Sequence, residues 1–382
     1  MLRKLERKNS VLNTERKAPN PSSIKASQFG RRSFIKRLSL GGTALLPAAG
    51  LLASRTVMRA NASHGHAGLP RGDAALLRFL AAIEILETDL WQQYNELALG
   101  NEAFQTALAV LDGDMPSYVN QNTRDEFSHQ DFLNAYLMSK GQRPVSLEAF
   151  RTLPSSQATG ANKSAKRLTN LTNLTVDTSW YTRYRSTGNP DFGDSFPQIV
   201  NLVDLPGIPS TDLAVNSDAI QLIANTAGFH FATVEQGGSS LYDSFLPKAN
   251  GPEVIKIIAA IGGTEIQHFE VWQDKAGNAP PVPLATGTLF PDLPHSPDQL
   301  PNGIDPADPI DTNQIMPRPC KFISPHLPLC SVIRPTSTQQ AGAKATILFF
   351  TAMGLFQGQS NQFFDFVSAL AEEADEAGRN FD

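Results

Sequence analysis

Apolar positions recur at three- and four-residue spacing in four separate stretches of the chain, and each stretch predicts a long amphipathic helix. The first begins at Asp73, carries Leu76, Leu77, Leu80, Ile83, Leu90, Trp91, Tyr94 and Leu97 on its apolar side, and stops at Gly100. The second opens at Asp114 and Pro116, builds its face from Phe127, Phe132, Leu133, Tyr136 and Leu137, and closes at Lys140-Gly141. A third runs from near Ser217 to Phe245 through Ile220, Ile223, Phe231, Val234, Leu241 and Tyr242. Asn250-Gly251-Pro252 starts the fourth, which ends at Lys275-Ala276-Gly277. Gly237-Gly238 is the weak point of the third helix, because each Gly costs about 1 kcal/mol against Ala. Such a pair marks close packing or a kink.

The first and second stretches are joined by a short connection, and so are the third and fourth, which predicts two antiparallel neighbours in each half. Residues 142–213 then cross from one half to the other. The pattern predicts an all-α four-helix bundle over residues 73–277 with a crossover insertion at 142–213. A crossover of this length is not expected to be structureless. It holds an aromatic patch, Trp180-Tyr181 with Tyr184, and is expected to pack over the helices; a lid near the chemistry is the sharper alternative. Residues 278–340 are Pro-rich and without period. Residues 341–382 form a helix-compatible tail, apolar over Ala345–Phe356 and Phe363–Leu370, suited to core packing or a homo-oligomer contact and too short and Gly-interrupted to span a bilayer.

Composition adds two things. Apolar residues make up 41% and charged residues 18%, the balance of a globular chain. The net charge of −5 is unevenly placed: 13 of 32 Lys/Arg but 2 of 37 Asp/Glu lie in residues 1–62, leaving 19 basic against 35 acidic residues beyond. An acidic body argues against nucleic acid, which needs a basic face, and suits the attraction of cations. The basic opening has its own explanation. Arg31-Arg32 with Phe34 and Lys36, an apolar run from Leu38 to Ala53, and Ala60-Asn61-Ala62 together resemble a twin-arginine signal peptide over residues 1–62. That implies the twin-arginine export machinery as a partner and a destination in the periplasm or outside the cell. In an exported protein the two cysteines, Cys320 and Cys330, are expected to pair as a disulfide rather than bind metal, since no Cys-x-x-Cys is present. The Asn-x-Thr triplets at Asn170 and Asn173 are expected to be chance.

The candidate chemistry lies in a motif that occurs twice. Glu126-Phe127-Ser128-His129 and Glu265-Ile266-Gln267-His268 both read Glu-x-x-His, which puts carboxylate and imidazole on one helix face. Each has an upstream partner in a matched frame: Ala82-Ile83-Glu84 with Leu90-Trp91, and Thr233-Val234-Glu235 with Leu241-Tyr242. One such motif is weak; two in matched frames predict a site for two metal ions held by Glu84, Glu126, His129, Glu235, Glu265 and His268. Mixed carboxylate and imidazole ligands favour iron or manganese over calcium. Glu87, one turn from Glu84, is the runner-up ligand or an acceptor for a metal-bound histidine. Asp125 and Gln267 are expected to point elsewhere, and His230 to lie off the ligand face. His64 and His66 suit a disordered end. Trp91 and Tyr242 are expected to pack near the ligands, where an aromatic can also donate electrons.

Over Asp73–Lys140 and Ser217–Lys275 these motifs resemble the ferritin-like superfamily, within it the exported proteins related to plant desiccation-related proteins. The resemblance implies a ferritin-like bundle, the same six ligands, and two iron ions or, alternatively, two manganese ions. It implies ferrous iron oxidation or consumption of peroxide or dioxygen in stress protection. The other function class open at this point is a non-catalytic stress protein in which metal, if bound, only staples the fold.

Overall fold

The described residues of this computed structural model are 68–284, 286–293, 316–334, 336–337 and 341–378. They belong to the unit His66–Asp382 and are predominantly helical. The expected signal peptide, with His64 and His66, and residues 294–315 of the Pro-rich segment lie outside them.

Four long helices appear where the periodicity places them: α1 is Arg71–Gly100, α3 Met115–Ser139, α5 Asp218–Phe245 and α6 Pro252–Ala276. Local chemistry sets their ends. The Ser217 side chain caps α5 by accepting from the Ile220 N–H, and Pro116 and Pro252 occupy the first turns of α3 and α6. Between α1 and α3 lies a helix the periodicity reading missed, α2 at Glu102–Leu111. Its signals are Asn101, whose side chain accepts from the Phe104 N–H at 3.0 Å, and buried Ala103, Phe104, Ala107, Leu108 and Leu111.

α3 runs back along α1: Thr123 Oγ1 donates to the Trp91 carbonyl at 3.1 Å, and one turn on, Asn120 Nδ2 donates to Asn95 Oδ1 at 3.1 Å. α5 and α6 form the second antiparallel pair and approach closely at Gly262, where a Cβ would stand 2.7 Å from that of Tyr242. The pairs meet through rings. Trp91 of α1 stacks on Trp272 of α6 at 5.4 Å, and both touch Phe231 of α5 at 4.8 Å.

The crossover is built, as expected, into a packed cover. It contains two short antiparallel ladders, β1 (Leu153–Pro154) with β2 (Lys166–Arg167) and β3 (Leu174–Val176) with β4 (Leu202–Leu205). A short helix, α4 at Ser179–Tyr184, buries Trp180, Tyr181 and Tyr184. Trp180 donates through Nε1 to Thr233 Oγ1 at 2.9 Å and meets Phe229 and Phe269. The anchor of the cover is Asp89, a fully buried carboxylate on α1. Its Oδ2 accepts from the N–H groups of Leu168 and Thr169, each at 2.9 Å, and from Thr169 Oγ1 at 2.7 Å, while Oδ1 meets Arg151 at 2.5 Å. With Gln93 Nε2, which also donates to Oδ2 at 3.2 Å, five donors make that burial tolerable.

The tail folds into α7 (Ala343–Ala352) and α8 (Asn361–Asp375). They pack on each other, and α8 lies along α1 with Phe363, Val367, Leu370 and Ala371 buried, so the core-packing use of these residues is the one observed. Asp375 joins the two by accepting from the Ala343 N–H at 2.9 Å and the Lys344 N–H at 3.0 Å. No helix among the described residues is long and apolar enough to cross a membrane. His230 is fully buried, between Tyr94 Oη at 2.9 Å on Nδ1 and Met353 Sδ at 3.0 Å on Nε2. With no charged partner there, burial pushes its pKa down to about 3.

Two outcomes follow for stability. Asp89→Ala leaves Arg151 and the crossover N–H groups without their acceptor, and is expected to lower the unfolding free energy in denaturant by about 3 kcal/mol. Because the folded pKa of His230 is depressed, the stability tied to its neutral form is present above the unfolded value and lost as pH falls toward 3. Unfolding measured at pH 7 and pH 5 should therefore show an acid-side loss that His230→Gln reduces by about 2 kcal/mol.

Candidate metal centre

Each long helix delivers its acidic residue inward at the level where the two pairs face each other. Glu84, Glu126 and Glu265 are fully buried, Glu235 is 1% exposed, and His129 and His268 are each 8% exposed. Their ligand atoms form two groups, Glu84-Glu126-His129-Glu265 and Glu126-Glu235-Glu265-His268, within each of which all atoms lie within 4.8 Å of one another. Glu126 and Glu265 belong to both. Each group thus has one private carboxylate, one imidazole and two shared carboxylates, and all six sequence-expected residues are brought together.

Both imidazoles turn Nδ1 inward. His129 Nδ1 lies 3.1 Å from Glu126, 3.3 Å from Glu265 and 3.4 Å from Glu84. His268 Nδ1 lies 3.2 Å from Glu126 and 3.3 Å from Glu235. One Nδ1–H serves one acceptor, and three carboxylate oxygens here, Glu84 Oε2 and both oxygens of Glu265, accept no hydrogen bond. Orphaned buried carboxylate oxygens cost several kcal/mol unless a cation or proton meets them, about 1–3 kcal/mol even for neutral groups. The donor set therefore fits divalent metal ions: four carboxylates balance two dications, and each group offers four ligands.

Without metal, protons take that role. Burial, reinforced by the charge of Glu265, raises Glu126 to about 7, and burial with the charge of Glu235 raises Glu265 to about 8. Burial acts to lower both histidines, but the carboxylates around them outweigh it, Glu84 first for His129 and Glu235 first for His268, and both stay far above the usual imidazole range.

The supporting groups were less visible in the sequence. Asn122 is buried and donates through Nδ2 to Glu126 at 2.7 Å and Glu235 at 2.9 Å, while its Oδ1 accepts from Trp272 Nε1 at 2.8 Å. It sits one turn before Glu126 on the same face, a signal that Asn-x-x-x-Glu-x-x-His carries. Tyr242 Oη donates to Glu84 Oε1, so this aromatic does more than pack. Its counterpart in the repeated frame, Trp91, only packs, and its Nε1 has no partner. Asp125 corrects the expectation that it points away: its Oδ2 lies 3.2 Å from His268 Nε2 on the neighbouring helix, which fixes the ring with Nδ1 inward. That hydrogen bond holds the Asp125 carboxyl below its usual range. Helix geometry on α3 alone correctly turns Asp125 off its own ligand face; the partner comes from α6. Gln267 is exposed, as expected.

Glu87 is 2% exposed and lies outside both ligand groups, with Oε1 unpartnered and no histidine hydrogen bond. Burial, then the charge of Glu265, pushes its pKa well above the usual carboxylate value. Gly238 accounts for the Gly pair of α5: a Cβ there would stand 2.5 Å from Glu265 Oε2, whereas at Gly237 the nearest atom is Phe349 Cε1 at 3.6 Å. The helix is continuous through both.

Calorimetric titration with ferrous or manganous ion should give binding that strengthens from pH 6 to pH 8, with protons released, because Glu126 and Glu265 must lose protons that they hold up to about 7 and 8. Glu126→Ala and Gly238→Ala are expected to weaken it by about 100-fold or more, Asp125→Asn by about tenfold, and Glu87→Gln and Gly237→Ala within about threefold. Equal losses for Gly237→Ala and Gly238→Ala would contradict the assigned role of Gly238. No family model, curated protein or solved structure matches this chain.

Proposed function

We propose that this chain is a ferritin-like four-helix bundle, exported by the twin-arginine route to the periplasm or beyond. In this reading it holds a carboxylate-bridged pair of iron ions, or alternatively manganese ions, and oxidises ferrous iron or consumes peroxide. The observation that carries it is the sharing of Glu126 and Glu265 between two otherwise separate ligand groups. A lone structural ion has no need of a doubled set with shared members.

Glu84 and His129 would hold one ion, Glu235 and His268 the other, and Glu126 and Glu265 both. When bound, two ferrous ions supply one electron each to dioxygen or peroxide. The protein's own part is positioning. Tyr242 and Asn122 each fix one oxygen of a private carboxylate, and the other oxygen faces the Nδ1 of the imidazole that would share its metal. Asp125 sets the tautomer of His268 by accepting from Nε2–H. The side chains of His129 and His268 are 10% and 9% exposed while those of the four carboxylates are at most 1%, and Asp125 beside them is 53% exposed. The way in for a small oxidant therefore lies along the α3–α6 side, marked by a negative group that also draws cations. The buried rings of Trp91, Phe231 and Trp272, tied to the cluster through Asn122, exclude water. Glu87, buried beside the ligands with Oε1 unpartnered, is placed to hold a proton next to the reacting region.

The test is anaerobic loading with ferrous iron followed by a pulse of dioxygen, with oxidation followed by absorbance. Oxidation well above the buffer rate, lost in Glu126→Ala and Glu265→Ala, is expected. Metal binding without oxidation would support the non-catalytic staple instead. Peroxide dismutation with manganese and not iron would select the catalase form.

A further inference from the structure

The cysteines lie in the Pro-rich segment, outside everything assigned above. Both are free thiols, Cys320 fully buried and Cys330 exposed. Their backbones face each other as an antiparallel pair and exchange both hydrogen bonds, Cys320 N–H to the Cys330 carbonyl at 3.0 Å and the reverse at 2.9 Å. Residues so paired have Cα atoms about 5.5 Å apart with side chains on one face, inside the range of about 4.4–6.8 Å that a disulfide spans.

An independent observation concerns the surroundings of Cys320. Arg334 is 1% exposed, and its NH1 is taken up by the carbonyls of Arg183, Ser186 and Gly188, yet its Nε and NH2 have no acceptor. Burial pushes this guanidinium down from its usual range, and the group beside it that pulls the other way most strongly is Cys320. Asn189, also buried, aims its Nδ2 at the Cys320 sulfur at 3.5 Å. As the Cys320 sulfur gives up its proton in an attack, the negative charge it gains would meet the hydrogen bonds that Arg334 otherwise lacks.

We propose that Cys320 and Cys330 are a dithiol site for hydroperoxides, in which exposed Cys330 is oxidised first and buried Cys320 resolves it. The Cys330 sulfur attacks the peroxide, an S–O bond forms, the O–O bond breaks, and the distal oxygen leaves as water or an alcohol, giving a sulfenic acid. The Cys320 sulfur, faced by Arg334 and Asn189, then attacks the Cys330 sulfur. The S–S bond forms, the S–O bond breaks, and water leaves with the second thiol proton. Two thiols and one hydroperoxide become one disulfide, one alcohol or water, and one further water. The site does not depend on the metal reading.

The experiment uses the full chain, reduced, desalted into buffer with a chelator, and given one equivalent of hydrogen peroxide. Both thiols should be lost with a mass decrease of about 2 Da, and digestion should yield one peptide pair joined through Cys320 and Cys330. In Cys320→Ser, dimedone should trap a sulfenic acid on Cys330. Arg334→Gln should slow disulfide closure about tenfold while the first oxidation keeps its rate, and Arg334→Lys should restore most of it. Circular dichroism checks the fold of both variants. Thiols that survive peroxide, wild-type oxidation that stops at the sulfenic acid, or disulfides only between chains would each overturn the proposal. Equal closure rates for wild type and Arg334→Gln would overturn the part given to Arg334.

Discussion

The interior of this protein depends on one electrostatic constraint, the burial of five carboxyl groups against two imidazoles. Glu84, Glu87, Glu126, Glu235 and Glu265 are all 2% exposed or less. Like charges at this depth repel strongly and lose their hydration, a penalty of several kcal/mol for each ion left alone. Hydrophobic packing around them cannot remove that cost, because Glu84 Oε2, Glu87 Oε1 and both oxygens of Glu265 lack partners. Cations or protons must supply the balance. The arrangement of two imidazole Nδ1 atoms and two carboxylates shared between groups is what two cations would require.

Much of the remaining architecture follows from keeping that cluster in register. The two antiparallel helix pairs each bring one isolated Glu opposite one Glu-x-x-His. Gly238 makes room for the Glu265 carboxylate at the cost of helix propensity. Gly262 lets α5 and α6 approach. Asn122, Tyr242 and Asp125 hold three of the six side chains, each from a different helix from the one that carries the group it holds, with Asn122 also reaching Glu126 on its own. The aromatic layer of Trp91, Phe231 and Trp272 closes the space below and carries Asn122 on the Trp272 N–H. The crossover, fastened by Asp89, and the tail, fastened by Asp375, cover the outer faces of the same helices.

The parts of this that a linear pattern can carry were visible before the structure. Periodicity locates the four long helices to within about two residues, and a repeat of Glu-x-x-His in matched frames singles out all six converging side chains, because i and i+3 share a face whatever the tertiary structure. Contacts between helices are different in kind. Asp125 was turned away from its own ligand face and still reaches His268, since the α3–α6 distance has no signature in either helix. Trp91 and Tyr242 occupy equivalent places in the repeat, yet only Tyr242 meets a carboxylate. α2 was hidden because Gly100 reads as a stop, although Asn101 caps a new helix at once. The backbone pairing that sets Cys320 opposite Cys330 arises in a Pro-rich stretch with no period to read.

The most direct measurement of the central claim is the metal content of the protein purified without added metal from its own cells, by elemental mass spectrometry against quantitative amino-acid analysis. The account expects two first-row transition-metal ions per chain, iron or manganese, falling to none in Glu126→Ala. A chain that carries no such ion, yet remains folded with its carboxyl groups protonated, would contradict it.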